Sequence, residues 1–148
     1  MGMIDSPDNG ATEVPGTSHN SLMIFLAGPI RYWWTPGVRD TRICRLYLAK
    51  REEIFYALSE DYLVYAPHRA IRGPWDKRAQ IINDAAVYRC DAFVNLNAGV
   101  PMDGTKEERS IAVEFKIPIF EVFVGDNYSV DAQLASLRPK LDKVSRRV

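Results

Sequence analysis

Two glutamates stand side by side at Glu107 and Glu108, just after the Gly/Pro-containing stretch NAGVPMDG. Apolar Ile111, Ala112 and Phe115 follow at helical steps, with Ala112 four residues beyond Glu108. On a helix this spacing turns Glu108 to the side of Ala112 and rotates Glu107 about 100° away. Acids in a first helical turn commonly complement the macrodipole, which accounts for at least one of the pair. A glutamate turned inward at the rim of a crevice can act as nucleophile or general base. A further carboxylate, Asp84, stands seven residues before Asp91 and could face the same crevice, whereas Asp91 reads as a strand-start or cap residue.

The other chemistry-bearing residues gather behind short apolar runs. LMIFLA is followed by Gly28, Arg31, Tyr32, Trp33 and Trp34. A glycine admits close approach to the backbone, an arginine forks onto an anionic oxygen, and aromatic rings offer a platform to a flat ligand. The competing reading is a turn whose tryptophans cover the core or an oligomer interface. YLVYA is followed by His68, Arg69, Arg72 and Trp75, and a lone histidine is as often structural as catalytic. AFVNL contains Asn95 and leads to Asn97, Asp103 and Gly104. The chain has no P-loop, no GxGxxG fingerprint and no Ser/His/Asp order of a hydrolase. Carboxylates, arginines, one histidine and aromatics make an inventory for acid–base work or glycosyl transfer.

These residues need elements to hold them. Leu22–Ala27, Tyr62–Ala66, Ala92–Leu96 and Pro118–Val124 are continuous apolar runs that predict buried strands. Between them, about Arg39–Leu58, a segment from Lys77 capped by Asp76, and Thr105–Phe115 show three- and four-residue apolar periodicity. A last helix is expected from about Val130 to Val144, interrupted or kinked near Pro139, and PHRAIRGPWD is expected to be a loop. Alternating strands and helices predict an α/β fold: a single-domain, doubly wound parallel sheet of Rossmann-like or flavodoxin-like type, with helices on both faces. In such folds ligands bind at the carboxyl ends of the strands, where the residues above fall. Residues 1–20, rich in Gly, Pro, Ser, Asn and Asp, read as a disordered tail, and 21–148 as the folded domain.

Bulk properties narrow the field. The chain has 148 residues and is 47% hydrophobic, enough for one core. Lys plus Arg and Asp plus Glu number 19 each, so the net charge is zero. That opposes binding to polymeric nucleic acid, which needs excess positive charge, and leaves little electrostatic resistance to self-association. The basic stretch Arg138–Arg147 reads as a solvated helix face. Cys44 and Cys90 lack CxxC or Cys/His neighbours, so no metal site is expected, and they read as buried thiols in a reducing cytoplasm. No apolar run approaches the roughly 20 residues of a membrane span, and no secretory signal is seen.

Four segments carry a resemblance. IFLAGPIR, VYAPHR…GPW, ND…CDAFVNL and GTKEERSIAVEFKIP are together similar to the nucleoside 2-deoxyribosyltransferase-like family. The last is the most specific, with Gly104, Glu108, Ala112 and Pro118 at the family's offsets. His68-Arg69 followed by a tryptophan resembles the cytidylate and hydroxymethylcytidylate N-glycosidase branch. The resemblance spans roughly Ile24–Phe123 and implies cleavage of the bond between a nucleobase and its sugar, in a (deoxy)nucleoside or its 5′-monophosphate. It implies Glu108 as the nucleophile that forms a glycosyl-enzyme, resolved by water or by a second base. Asp84 would be the second carboxylate, Arg31 would contact a 5′-phosphate or base edge, and His68 and Arg69 would line the pocket. It also implies a homodimer or higher homo-oligomer with shared sites, and neither cofactor nor metal.

Met102 and Asp103 depart from the serine common in the monophosphate branches and favour a free nucleoside, whereas Arg31, His68 and Arg69 favour a phosphate. Thr105 and the amides at that helix N-terminus could still take an anion. Two other readings remain: a nucleotide-binding or sensing module of the same fold without the chemistry, and an oligomeric scaffold whose aromatics form the interface.

Overall fold

The computed structural model describes residues 22–28, 37, 41–71, 76–98 and 103–147, with 103–105 as backbone only. The elements run β1 (Met23–Ala27), α1 (Arg42–Ser59), β2 (Leu63–Tyr65), α2 (Pro67–Ala70), α3 (Lys77–Arg89), β3 (Ala92–Asn97), α4 (Asp103–Glu114), β4 (Ile119–Phe123) and α5 (Val130–Leu141). The tail, residues 1–20, lies outside the described residues.

All strand pairings are parallel and the order is β2-β1-β3-β4. Connections from β1 to β2 run one way across the sheet, and those from β2 to β3 and β3 to β4 run the other. Right-handed crossovers then put the connecting helices on opposite faces. Accordingly α1 and α5 cover one face, packing Tyr47, Ile54, Leu58, Leu134 and Leu137 on Ile24, Leu26, Val94, Leu96 and Val122. On the other, α3 and α4 bring Ala86, Val87 and Ala112 onto Phe25, Ala27 and Phe93. This is the doubly wound α/β sheet that the alternation predicts. The strand order reverses between β1 and β3, so a crevice opens beyond Ala27 and Asn97.

Local chemistry sets the helix starts. Thr41 accepts from Cys44 N at 3.2 Å, Asp76 from Ala79 N at 3.0 Å, and Ser129 from Ala132 N at 3.1 Å, each satisfying an otherwise orphaned amide. Three expectations change. The segment after Pro67 is a helical turn rather than loop, because proline at the first position already has helical φ and the turn closes through Ile71 N to Pro67 O. Helix α5 continues through Pro139 but stops at Leu141, short of Val144.

The basic stretch is also not a purely solvated face. Arg138 reaches Asp61 and the Ala57 carbonyl, and Arg147 reaches the carbonyls of Tyr88 and Cys90. Asp91 joins this clasp by accepting from Met23 N at 2.8 Å and from Arg147 N. Cys44 and Cys90 are buried thiols with no disulfide between them, and burial pushes the Cys90 thiol up to about 12. Among the described residues no helix is long and apolar enough to cross a membrane.

Candidate active site

The face covered by α3 and α4 has an apolar floor and a polar upper layer. Phe25 stacks between Tyr65 and Phe93, with ring centroids 5.4 and 5.3 Å away. These three share a level because Phe25 is in register with both Tyr65 and Phe93. Two residues further along the strands, Ala27 aligns with Asn95 and Asn95 with Glu121. The helices follow the same division. Ala112 on α4 and Val87 on α3 reach the floor, and the positions one turn earlier are Glu108 and Asn83.

Glu108 is 4% exposed, while Glu107 is on the surface, the separation that the spacing to Ala112 predicts. Burial and the negative charge of Glu108 raise the Tyr65 hydroxyl above its ordinary range, so the two groups lie within electrostatic reach across the crevice. Asn95 donates through Nδ2 to Glu121 Oε1 at 2.9 Å, and Arg109 donates to Glu121 Oε2 at 2.6 Å. Among the described residues, four groups of this layer are buried with no hydrogen-bond partner: Tyr65 Oη, Asn95 Oδ1, and both Oδ1 and Nδ2 of Asn83. A buried polar group left unmade costs about 1–3 kcal/mol, so four on one face are not incidental.

Asn83, Tyr65 and Glu121 are not among the residues that follow the apolar runs in sequence. Asn83 had a signal, a polar side chain on the stripe Ala79-Asn83-Ala86-Val87 that is otherwise apolar. Tyr65 and Glu121 sit inside runs that read simply as buried strand.

Other expected site residues are placed differently. Asp84 is half-buried beside Asn83, off the core stripe, and accepts from Gln80 Nε2 at 2.8 Å. His68 and Arg69 bind Glu52 of α1, through Nε2 to Oε2 at 2.5 Å and Nη2 to Oε1 at 2.6 Å, and Arg69 also meets the Tyr56 hydroxyl. They are thus tied to the helix on the sheet face opposite Glu108. Burial and the Arg51 guanidinium push the His68 imidazole down to about 4, outweighing the upward pull of Glu52. An ionised Glu52 has no proton to give, so neutral His68 donates Nε2–H to it.

Gly28 has a packing reason. A Cβ there would lie 2.1 Å from the Tyr47 hydroxyl oxygen, so glycine lets α1 seat its tyrosine against the end of β1. Asn97, half-buried, ends β3 in register with Phe123. Arg31, Tyr32, Trp33 and Trp75 lie outside the described residues, as do the side chains of Asp103 and Thr105 and the surroundings of Gly104. Among the described residues no group of three His, Cys, Asp or Glu side chains is placed to hold a metal.

A polar layer of this kind, a buried carboxylate flanked by unpartnered amide and phenol groups above an aromatic floor, can hold a neutral ligand of mixed polarity and present an anion to a developing positive charge. No protein-family model and no curated protein matches the chain.

Proposed function

We propose that the chain cleaves the N-glycosidic bond of a (deoxy)nucleoside or its 5′-monophosphate, with Glu108 as nucleophile. The observation that carries this reading is the placement of Glu108: a carboxylate 4% exposed, on the inner stripe of α4, near the carboxyl ends of parallel strands. A Glu108 oxygen bonds to the anomeric carbon as the bond from that carbon to the base nitrogen breaks, and the electron pair leaves with the base. Positive charge grows on the sugar ring in the transition state, and a carboxylate beneath the ring offsets it there. Water or a second base then attacks the same carbon and frees the carboxylate, giving hydrolysis or transfer. Asp84, next in sequence to the buried Asn83, is the second carboxylate of this scheme and assists departure of the base.

The pairing of His68 and Arg69 with Glu52 supports the unphosphorylated substrate, because Glu52 offsets the charge of Arg69 and the neutral His68 brings none to a 5′-phosphate. A homo-oligomer is supported by the outer face of α3 and α4, where Ile81, Ile82, Tyr88 and Phe115 are exposed and Tyr88 packs edge-on against Phe115. Buried thiols at Cys44 and Cys90, not joined in a disulfide, support a reducing compartment such as the cytoplasm.

The test is incubation with common nucleosides, deoxynucleosides and their monophosphates, with and without a second base, followed by chromatography. Glu108→Ala and Glu108→Gln are expected to lower base release by at least about a thousandfold, and Glu107→Gln to leave it nearly intact. Equal activity in the Glu107 and Glu108 variants removes the nucleophile assignment. Nucleotide binding without any turnover identifies a sensing module instead.

A further inference from the structure

The amide of Asn83 is wholly buried, and neither its oxygen nor its nitrogen is hydrogen-bonded. It occupies a core position of α3, four residues after Ala79 and four before Val87, where an apolar side chain would cost nothing. Helix α3 packs on both α4 and β1. Asn83 therefore stands one turn above Val87 as Glu108 stands one turn above Ala112, both over the same sheet face. From that face Asn95 offers a second unpartnered group, its Oδ1. The orientation of Asn95 is set by Glu121, a carboxylate that accepts from Nδ2 and so turns Oδ1 away from itself. Among the described residues the uncommitted set is thus one donor (Asn83 Nδ2) and two acceptors (Asn83 Oδ1 and Asn95 Oδ1), with the Tyr65 hydroxyl able to do either.

We infer that Asn83 reads the base of the substrate and selects an aminated base, adenine or cytosine, over a keto base. The inference rests on the glycosyl-cleavage reading for the presence of a base. The exocyclic amino group of cytosine or adenine has two N–H donors, and the ring nitrogen beside it is an acceptor. Asn83 Nδ2–H donates to that ring nitrogen while Oδ1 accepts one amino proton, the bidentate match of a carboxamide to an aminated edge. Asn95 Oδ1 takes the second amino proton. A thymine or uracil edge has one ring N–H and no amino group, so it leaves one of the two acceptors unmade in a buried site.

The inference is tested by binding, without turnover, in the Glu108→Gln protein. Calorimetry gives Kd for 2′-deoxycytidine, 2′-deoxyadenosine, thymidine and 2′-deoxyguanosine, each also as its 5′-monophosphate. The aminated pyrimidine or purine is expected to bind more tightly than its keto counterpart. Asn83→Ala should weaken that ligand by roughly ten- to a hundredfold, the loss of two neutral hydrogen bonds, with a smaller effect on thymidine. Asn83→Asp, which has acceptors only, should shift the ratio towards 2′-deoxyguanosine, whose N1–H and N2–H are both donors. A merely structural role would weaken all ligands alike.

An unchanged ratio in both variants overturns the inference, as does the absence of binding by every ligand. If neither variant folds, the 15N side-chain amide signals of Asn83 in the Glu108→Gln protein decide. They must shift on saturation with 2′-deoxycytidine or 2′-deoxyadenosine, and unmoved signals beside shifting neighbours overturn it. Base release that depends on Glu108 but is blind to Asn83 defeats this inference and leaves the proposed function standing. Asn83-dependent selectivity with no base release by the wild type does the reverse.

Discussion

Glu108 and Asn83 occupy equivalent positions on neighbouring helices, yet only one is evident in the sequence. Glu108 stands four residues before Ala112, and the burial of one and exposure of Glu107 follow from helix geometry alone. Asn83 is hidden because its neighbours Ile81 and Ile82, which look like the core of α3, face outward, while the polar residue between them and Asp84 faces inward. Gly28 was legible as a close approach, but what approaches is the Tyr47 hydroxyl, far along the chain in α1. Gly28→Ala is therefore expected to destabilise the fold by about 1–3 kcal/mol, and Tyr47→Phe in the same chain to restore part of it. Denaturant unfolding of the two single variants and the double variant measures this. Strict additivity would show that the hydroxyl is not what the glycine accommodates.

At the scale of elements, four strands and the main helices were readable because continuous apolar runs and 3.6-residue periodicity are strong local signals. What escaped depends on contacts between distant segments. The turn Pro67–Ala70 is held by His68 and Arg69 on Glu52, a pairing that no local pattern announces. Similarly, β4 is an edge strand, and the side-chain amide of Gln133 in α5 bonds both Phe123 N at 2.7 Å and Phe123 O at 2.8 Å. A glutamine amide thus occupies the place of a further strand and blunts the edge. Gln133→Ala should cost about 1–2 kcal/mol in unfolding free energy and raise self-association on dynamic light scattering. A fully monodisperse variant of unchanged stability would contradict that role for Gln133.

Two properties belong to the molecule as a whole, stability against pH and assembly. The His68 imidazole falls from an ordinary 6.5 to about 4 in the folded chain. Between those values the unfolded chain takes up a proton that the folded chain refuses, so stability declines as pH falls from about 6.5 towards 4. Burial opposes ionisation of Glu52, but His68 and Arg69 prevail and hold it below its ordinary 4.5, so its contribution is lost as pH falls further. Thermal unfolding midpoints from pH 7 to pH 4 should drop, and His68→Gln should flatten the upper part of that slope. An equally steep profile in the variant would assign the effect elsewhere. For assembly, light scattering is expected to show a dimer or larger species that Ile82→Glu shifts towards monomer. A wild type that is monomeric at all concentrations would contradict the proposed oligomer.

In the proposed reaction the sugar becomes covalently bonded to Glu108. Wild-type protein is mixed with a deoxynucleoside from which it releases base, quenched in acid during turnover and digested for peptide mass spectrometry. The expected result is a deoxyribosyl adduct on Glu108 that is absent from Glu108→Gln. An adduct on Glu107 or Asp84, or rapid base release by the Glu108→Gln protein, would contradict it.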